Sequence, residues 1–255
     1  MIIILGRVFA HFLMVVSRIS FSGYSQQSSV QIGIQEDHFV ERGLFCEVIK
    51  TLKGSNTESV ERSKPIFFPG DPAEKVYLIK KGVVRLSRLY ESGKEITVAF
   101  LSENDFFGVS ALLTNSLSER FYHAVAFTRV EIESIPATSV RNAIGDDASI
   151  GLTLLQLLSS RILQTETMIA ILANREMLSK LIGFLLVLST EFGVPRETGV
   201  TINLRLSHQE IAEAIGSTRV TITRLLGKLK SSGLLSIHKK KITIIDPLAL
   251  AKRFN

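Results

Sequence analysis

The stretch Leu206–Leu226, LSHQEIAEAIGSTRVTITRLL, restricts what this chain can fold into more than any other part of it. Ser207 followed three residues later by Glu210 is a capping box, so a helix starts there. Ile211, Ala212 and Ile215 give that helix an apolar face, and Ala212 is small enough for a second helix to cross closely. Gly216 supplies a tight turn. Ser217 or Thr218 caps the next helix, whose inner face is Ile222, Leu225, Leu226 and Leu229. Arg219, Val220, Thr221, Thr223, Arg224 and Lys228 are left on its outer face. Two short helices joined by a glycine turn, the second of them basic, form the pattern that places a recognition helix in a DNA major groove.

The residues beyond the second helix strengthen that expectation. Gly233 ends the helix, and Leu234–Ile237 and Ile242–Ile245 flank His238-Lys239-Lys240-Lys241. This predicts a β-hairpin with a basic tip, a wing placed against phosphate. The charge is concentrated here as well. Residues 201–255 carry ten Lys/Arg against three acids, so their +7 exceeds the +6 of the whole chain. A solvated charge run on an ordinary helical domain is the plainer alternative. The order of capping box, glycine turn, basic helix face and basic wing favours DNA. On this reading Arg219 donates bidentately to a guanine, Val220 meets a thymine methyl, and Arg224 reaches a base edge or a phosphate. Ser207, Thr218, Lys239 and Lys240 hold the DNA backbone, with Ser217, Thr221 and Thr223 completing the expected set.

Upstream, Phe39–Leu52 reads as a short amphipathic helix and Lys53–Arg62 as a polar linker. From Lys64 to Ile135 short apolar runs alternate with turns such as Pro69-Gly70-Asp71-Pro72, the pattern of an antiparallel barrel or sandwich. The period then changes. Leu155, Leu158, Ile162, Thr165, Ile169 and Leu172 recur at spacings of three and four on one long helix. That seam packs either on its own barrel or on a second copy of the chain, and its length favours the second copy. Met177–Phe192 is a second apolar helix, stopped by Gly193-Val194-Pro195.

Several function classes are disfavoured. Cys46 is the only cysteine, which excludes an intrachain disulfide and a cysteine-ligated cluster. His11, His38, His123, His208 and His238 have no metal-ligand spacing, and neither a phosphate loop nor a nucleophile elbow is present, so an enzyme is not expected. Arg7, His11 and Arg18 interrupt the apolar N-terminal run, so a membrane-spanning helix is not expected. That run and the Ser-rich stretch after it contain no acid before Glu36. They read either as an organelle-targeting segment or, in preference, as a poorly ordered extension.

Barrel, seam helix and winged helix-turn-helix, in that order, resemble the family of bacterial cyclic-AMP receptor and fumarate–nitrate regulators (CRP/FNR). Phe67-Phe68-Pro69-Gly70-Asp71-Pro72-Ala73-Glu74, Phe107-Gly108-Val109, Arg120–Phe127, Ser159–Glu166 and Gly216–Thr221 are similar to its nitrogen-control branch in cyanobacteria and some algal plastids. The likeness starts near Val60. It implies an α+β chain: an extension to residue 38, a jelly-roll effector domain over 39–144, a dimerisation helix over 145–176 and a winged helix-turn-helix over 177–255. It further implies a homodimer on double-stranded DNA, contact with RNA polymerase, a small co-activator protein as a further candidate partner, no prosthetic cofactor, and a plastid stroma or a bacterial cytoplasm as location.

The resemblance also implies an effector site. A cyclic-nucleotide site carries Glu after its Phe-Gly, a small residue after its phosphate-binding Arg, and a Thr-Ser pair on the long helix. Here those places hold Val109, Phe121 and Thr165-Glu166, which disfavours cyclic AMP. A small dicarboxylate, 2-oxoglutarate, is the effector implied instead. By the family pattern Arg120 and the backbone N–H groups of Phe107, Gly108, Val109 and Ser110 hold one carboxylate, although Ser110 departs from the usual Leu. Arg161 holds the other carboxylate and the keto oxygen, and Glu166 comes from near the partner's helix. A regulator with a different effector, or with none, is the competing expectation.

Overall fold

The computed structural model describes residues 54–91, 95–112 and 119–254. The expected helix Phe39–Leu52 and the N-terminal extension lie outside the described residues. The described chain divides into two compact units, one up to Leu163 and one from Gln164 onward.

The first unit is built from β1 (Asn56–Val60), β2 (Pro65–Phe67), β3 (Lys75–Lys81), β4 (Val84–Leu89), β5 (Glu95–Leu101), β6 (Phe106–Phe107), β7 (His123–Ala126) and β8 (Val130–Pro136). They form two four-stranded antiparallel sheets, ordered β1-β8-β3-β6 and β2-β7-β4-β5. Between them the alternating apolar residues Phe67, Ile79, Val84, Leu101, Phe107, Ala124, Ala126, Val130 and Ile132 make one core. The helices α1 (Ala137–Asp146) and the start of α2 (Ala148–Ala173) close a second core over β3 and β8, with Val76, Leu78, Ile135, Val140, Ile150 and Leu154 inside.

Two expectations need correction in this unit. The Lys53–Arg62 segment is not merely a linker: Asn56–Val60 pairs in register with Ser134–Val130 of β8. As an edge strand it keeps its polar residues, and only Val60 packs on the core, so it has no hydrophobic alternation to detect. The seam register also differs. Leu158 packs inward on the core beneath α2. The exposed row is Leu152, Leu155, Ser159, Ile162, Glu166 and Ile169, spaced three and four, with Leu155, Ile162 and Ile169 each about 60% exposed. One face of the long helix thus covers its own barrel, as one of the two expected packings has it, while a different row of residues is left open.

The second unit begins with the last turns of α2 and continues through α3 (Met177–Phe192), β9 (Gly193–Arg196), β10 (Gly199–Ile202), α4 (His208–Ile215), α5 (Arg219–Ser231), β11 (Leu235–His238), β12 (Lys241–Ile244) and α6 (Pro247–Ala251). A sheet ordered β11-β12-β10-β9 supports the helices. Gly193-Val194-Pro195 ends α3 as expected, and the same residues become a strand. Leu181, Ile182, Leu185, Ile211, Ala212, Ile215, Ile222, Leu226 and Leu229 are buried in its core. Ser207 accepts from the Glu210 N–H at 3.1 Å while the Ser207 N–H donates to Glu210 Oε2 at 2.6 Å, so the capping box forms. Gly216 then turns the chain at φ +68°, a conformation glycine adopts without strain.

Candidate functional site

In the first unit the side chain of Arg120 is almost wholly buried, at 3% exposure. Its backbone is pinned by the preceding turn: the Arg120 N–H donates to Asp71 O at 2.9 Å, and the Gly70 N–H donates to Arg120 O at 2.9 Å. The guanidinium lies over the ring of Phe67 at 4.5 Å and of Tyr77 at 5.3 Å. Those rings stack with each other and with Phe107. Nη1 donates to Gly108 O at 2.9 Å and Nη2 to Lys75 O at 2.6 Å. Among the described residues no carboxylate makes an ion pair with Arg120, and its Nε has no hydrogen-bond partner. Burial pulls the guanidinium below its ordinary pKa, partly opposed by Tyr77, and burial raises the Tyr77 hydroxyl. The Asp71 carboxylate also favours the charged guanidinium, but a buried cation with aromatic faces and no carboxylate ion pair among the described residues is costly unless an anion joins it.

Phe107 and Gly108 lie beside this guanidinium, and Val109 and Ser110 open a single 3₁₀ turn, Val109–Leu112. The first N–H groups of such a turn have no partner within it and suit an anion. Arg161 is also in this unit. Its Nη2 lies 3.1 Å from Oδ1 of Asp105, a buried carboxylate. The structure therefore gives Arg161 an internal carboxylate partner that sequence reasoning missed. An acid directly ahead of an apolar strand was the available signal. Glu166 is exposed on α2.

The second unit presents the expected basic helix. Thr218 caps α5, its hydroxyl accepting from the Thr221 N–H at 3.2 Å and donating to the Thr221 hydroxyl at 3.0 Å. Arg219, Val220 and Arg224 are exposed on it, Val220 at 78%. An apolar side chain so open, between a cap and an arginine, has nothing among the described residues to cover it. The Ser217 N–H closes the turn onto Ala212 O at 2.8 Å.

Thr223, exposed on α5, also bonds within the chain. Its hydroxyl donates to Arg219 O at 2.8 Å and lies 2.7 Å from His208 Nδ1. Thr223 and His208 thus tie α5 to the first turn of α4. The periodicity put Thr223 on the outer face, but a hydroxyl can satisfy its own helix and a neighbour at once.

The wing forms with Lys239 and Lys240 as the two turn residues, both left-handed at φ 47° and 64°. That geometry matches a type I′ hairpin turn, normally Asn-Gly, so two lysines hold it under strain. The Leu206 N–H donates to Lys240 O at 3.3 Å, and Lys241 Nζ donates to Asn203 Oδ1 at 2.7 Å. These bonds tie the wing to the segment just before α4. They engage Lys241, while Lys239 and Lys240 stay exposed.

Comparison with known proteins agrees with this geometry. Residues 57–147 match the cyclic nucleotide-binding domain and residues 179–253 the Crp-like helix-turn-helix domain. The global nitrogen regulator of Synechococcus elongatus is 59% identical over 198 residues, covering 78% of this chain and 89% of the relative. That of Nostoc sp. is 59% identical over 197 residues, covering 77% and 88%. Among solved structures, FixK2 from Bradyrhizobium japonicum superposes with a TM-score of 0.68 at 22% identity, over 78% of this chain and 96% of that one. A CRP/FNR-family regulator of Thermus thermophilus does so at 0.64 and 29% identity, over 78% and 98%. A domain of the cyclic-nucleotide-binding type indicates a small-molecule effector. Regulators of this kind are not enzymes; they bind DNA and form dimers. The chain belongs to the CRP/FNR family of transcription regulators, alongside its global nitrogen regulators.

Proposed function

We propose that this nitrogen-responsive regulator is activated by 2-oxoglutarate and binds a GTA…TAC palindrome. The observation that carries the effector assignment is Arg120, a buried guanidinium without a carboxylate partner among the described residues, beside the Gly108 carbonyl and the Val109–Leu112 turn. A carboxylate of the effector supplies the missing charge, aided by the N–H groups of Phe107, Gly108, Val109 and Ser110. Arg161 takes the 2-oxo acid end, with Glu166 nearby from the partner. Val109, where a ribose-binding Glu would be needed, argues against cyclic AMP.

The working divisions are an effector domain over 39–144, a dimerisation helix over 145–176 and a DNA-binding segment over 177–255. Two copies join along the open row of α2, and effector biases the dimer toward recognition helices about 34 Å apart, one DNA turn. On each half-site Arg219 reads the guanine and Val220 the thymine methyl. Ser207, Ser217, Thr218, Thr221, Thr223, Arg224, Lys239 and Lys240 complete the DNA face, and Thr223 also holds α5 against α4. RNA polymerase and a small co-activator protein are further partners, in a plastid stroma or a bacterial cytoplasm. Among the described residues no helix is long and apolar enough to cross a membrane.

The test is fluorescence anisotropy of a labelled GTA…TAC duplex at fixed salt, with 2-oxoglutarate, with cyclic AMP and with neither. Tightening by 2-oxoglutarate alone, lost in Arg120→Ala and in Arg161→Ala, is the expected result. Equal binding under all three conditions would leave a DNA-binding regulator with another effector or none.

A further inference from the structure

We propose that Asp105 is the positioning residue for Arg161, and that the short segment Asp105–Gly108 thereby holds both effector-reading guanidiniums. This rests on the reading above, that Arg120 and Arg161 clamp the two ends of 2-oxoglutarate.

Asp105 is 5% exposed and has little freedom. Its Oδ2 accepts from the Ser102 N–H at 2.7 Å and from the Ser102 hydroxyl at 3.4 Å. Its N–H donates to Ser102 O at 3.0 Å, and its carbonyl accepts from the Ile79 N–H at 2.9 Å. The remaining carboxylate oxygen, Oδ1, faces Arg161 Nη2 at 3.1 Å. A carboxylate fixed at so many points fixes its cation as well. Arg161, whose side chain is 29% exposed, gains a defined orientation from this pair. Three residues after Asp105, the carbonyl of Gly108 holds Arg120 Nη1. One turn-and-strand segment therefore sets the position of the cation at each end of the expected ligand. Removing the Asp105 charge takes away this fixed anchor of Arg161, so more of its ordering falls to ligand binding, which weakens binding. It does not touch the DNA-reading face.

Asp105→Asn cannot accept on both sides, because one oxygen becomes an NH₂ facing a donor. Asp105→Ser removes the charge and keeps a hydroxyl for the Ser102 N–H, so it guards against loss of the turn. In full-length protein, both variants should raise the 2-oxoglutarate concentration for half-maximal DNA tightening about tenfold, equivalent to ordering one long side chain. Effector-free DNA affinity should stay unchanged. The preference for 2-oxoglutarate over glutarate, which lacks the keto oxygen that Arg161 reads, should narrow in the variants. A merely structural role would lower thermal stability and leave that ratio alone. If wild type and both variants respond alike, or the variants respond at lower concentration, Asp105 is not the positioning residue. If wild type gains nothing from 2-oxoglutarate, the effector reading fails and this proposal fails with it.

Discussion

A Cβ placed on Gly108 would lie 2.7 Å from Arg120 Nη1, the nitrogen that donates to the Gly108 carbonyl at 2.9 Å. Gly108 also sits at φ +77°. Gly108→Ala therefore adds backbone strain of about 1–3 kcal/mol and pushes a buried guanidinium from its seat. The expected outcome is a lower denaturation midpoint together with loss of the effector-dependent gain, while effector-free DNA binding persists. Calorimetric titration with 2-oxoglutarate checks it. An alanine variant that binds effector normally would show that Arg120 does not have to lie against this carbonyl.

The DNA face separates reading from anchoring. Arg219→Ala should cost about 1–3 kcal/mol on the cognate duplex and relax preference at one base pair. Lys240→Gly should weaken binding equally on all sequences and lower the slope of log affinity against log salt by about 0.9. It should also relieve the left-handed strain at φ 64° and raise stability. Competition assays with single-substitution duplexes distinguish the two. Uniform loss in Arg219→Ala would remove its base-reading role.

Where local chemistry dictates structure, the sequence was legible. Ser207, Glu210 and Gly216 specify helix, cap and turn within ten residues, and the structure forms all three. Three other features depend on contacts distant in sequence. The strand Asn56–Val60 exists because β8 offers it an edge. Leu158 turns inward because the barrel core reaches α2, and spacings of three and four cannot distinguish that face from the open one. Asp105 meets Arg161 only after the barrel has closed. Similarly, Arg120 and Gly108 stood out in the sequence as a family pattern, whereas their close approach explains physically why one residue must be glycine.

The two faces of α2 make opposite predictions for neighbouring leucine and isoleucine positions. Ile162 is 58% exposed on the open row, whereas Leu158 packs on the barrel core. Ile162→Lys should leave monomer stability nearly unchanged and shift the chain to monomer at micromolar concentration in sedimentation velocity. Leu158→Ala should instead lower stability by about 1–3 kcal/mol, less than a fully buried leucine would, with dimerisation retained at low temperature. A stable dimer in Ile162→Lys would place the dimer contact on a different face.

Acid sensitivity should centre on Glu95 of β5. Its Oε1 lies 3.0 Å from Arg85 Nη2 and 3.4 Å from His123 Nδ1, and it accepts from the Ser87 hydroxyl. Burial raises the carboxyl, but the Ser87 hydrogen bond, Arg85 and His123 outweigh it and hold Glu95 below its ordinary value. A group depressed in the folded state stabilises above its unfolded pKa, and loses that contribution as pH falls through the folded value. The loss should therefore begin near pH 4.3, the ordinary glutamate range, and grow on further acidification. Glu95→Gln should cost under about 1 kcal/mol at pH 7, because solvent screens a partly exposed carboxylate. It should also flatten the stability curve below pH 4.3. Urea unfolding of both proteins across that range is the measurement. Parallel curves would assign the acid sensitivity to other carboxylates, since only Glu95 differs between the two chains.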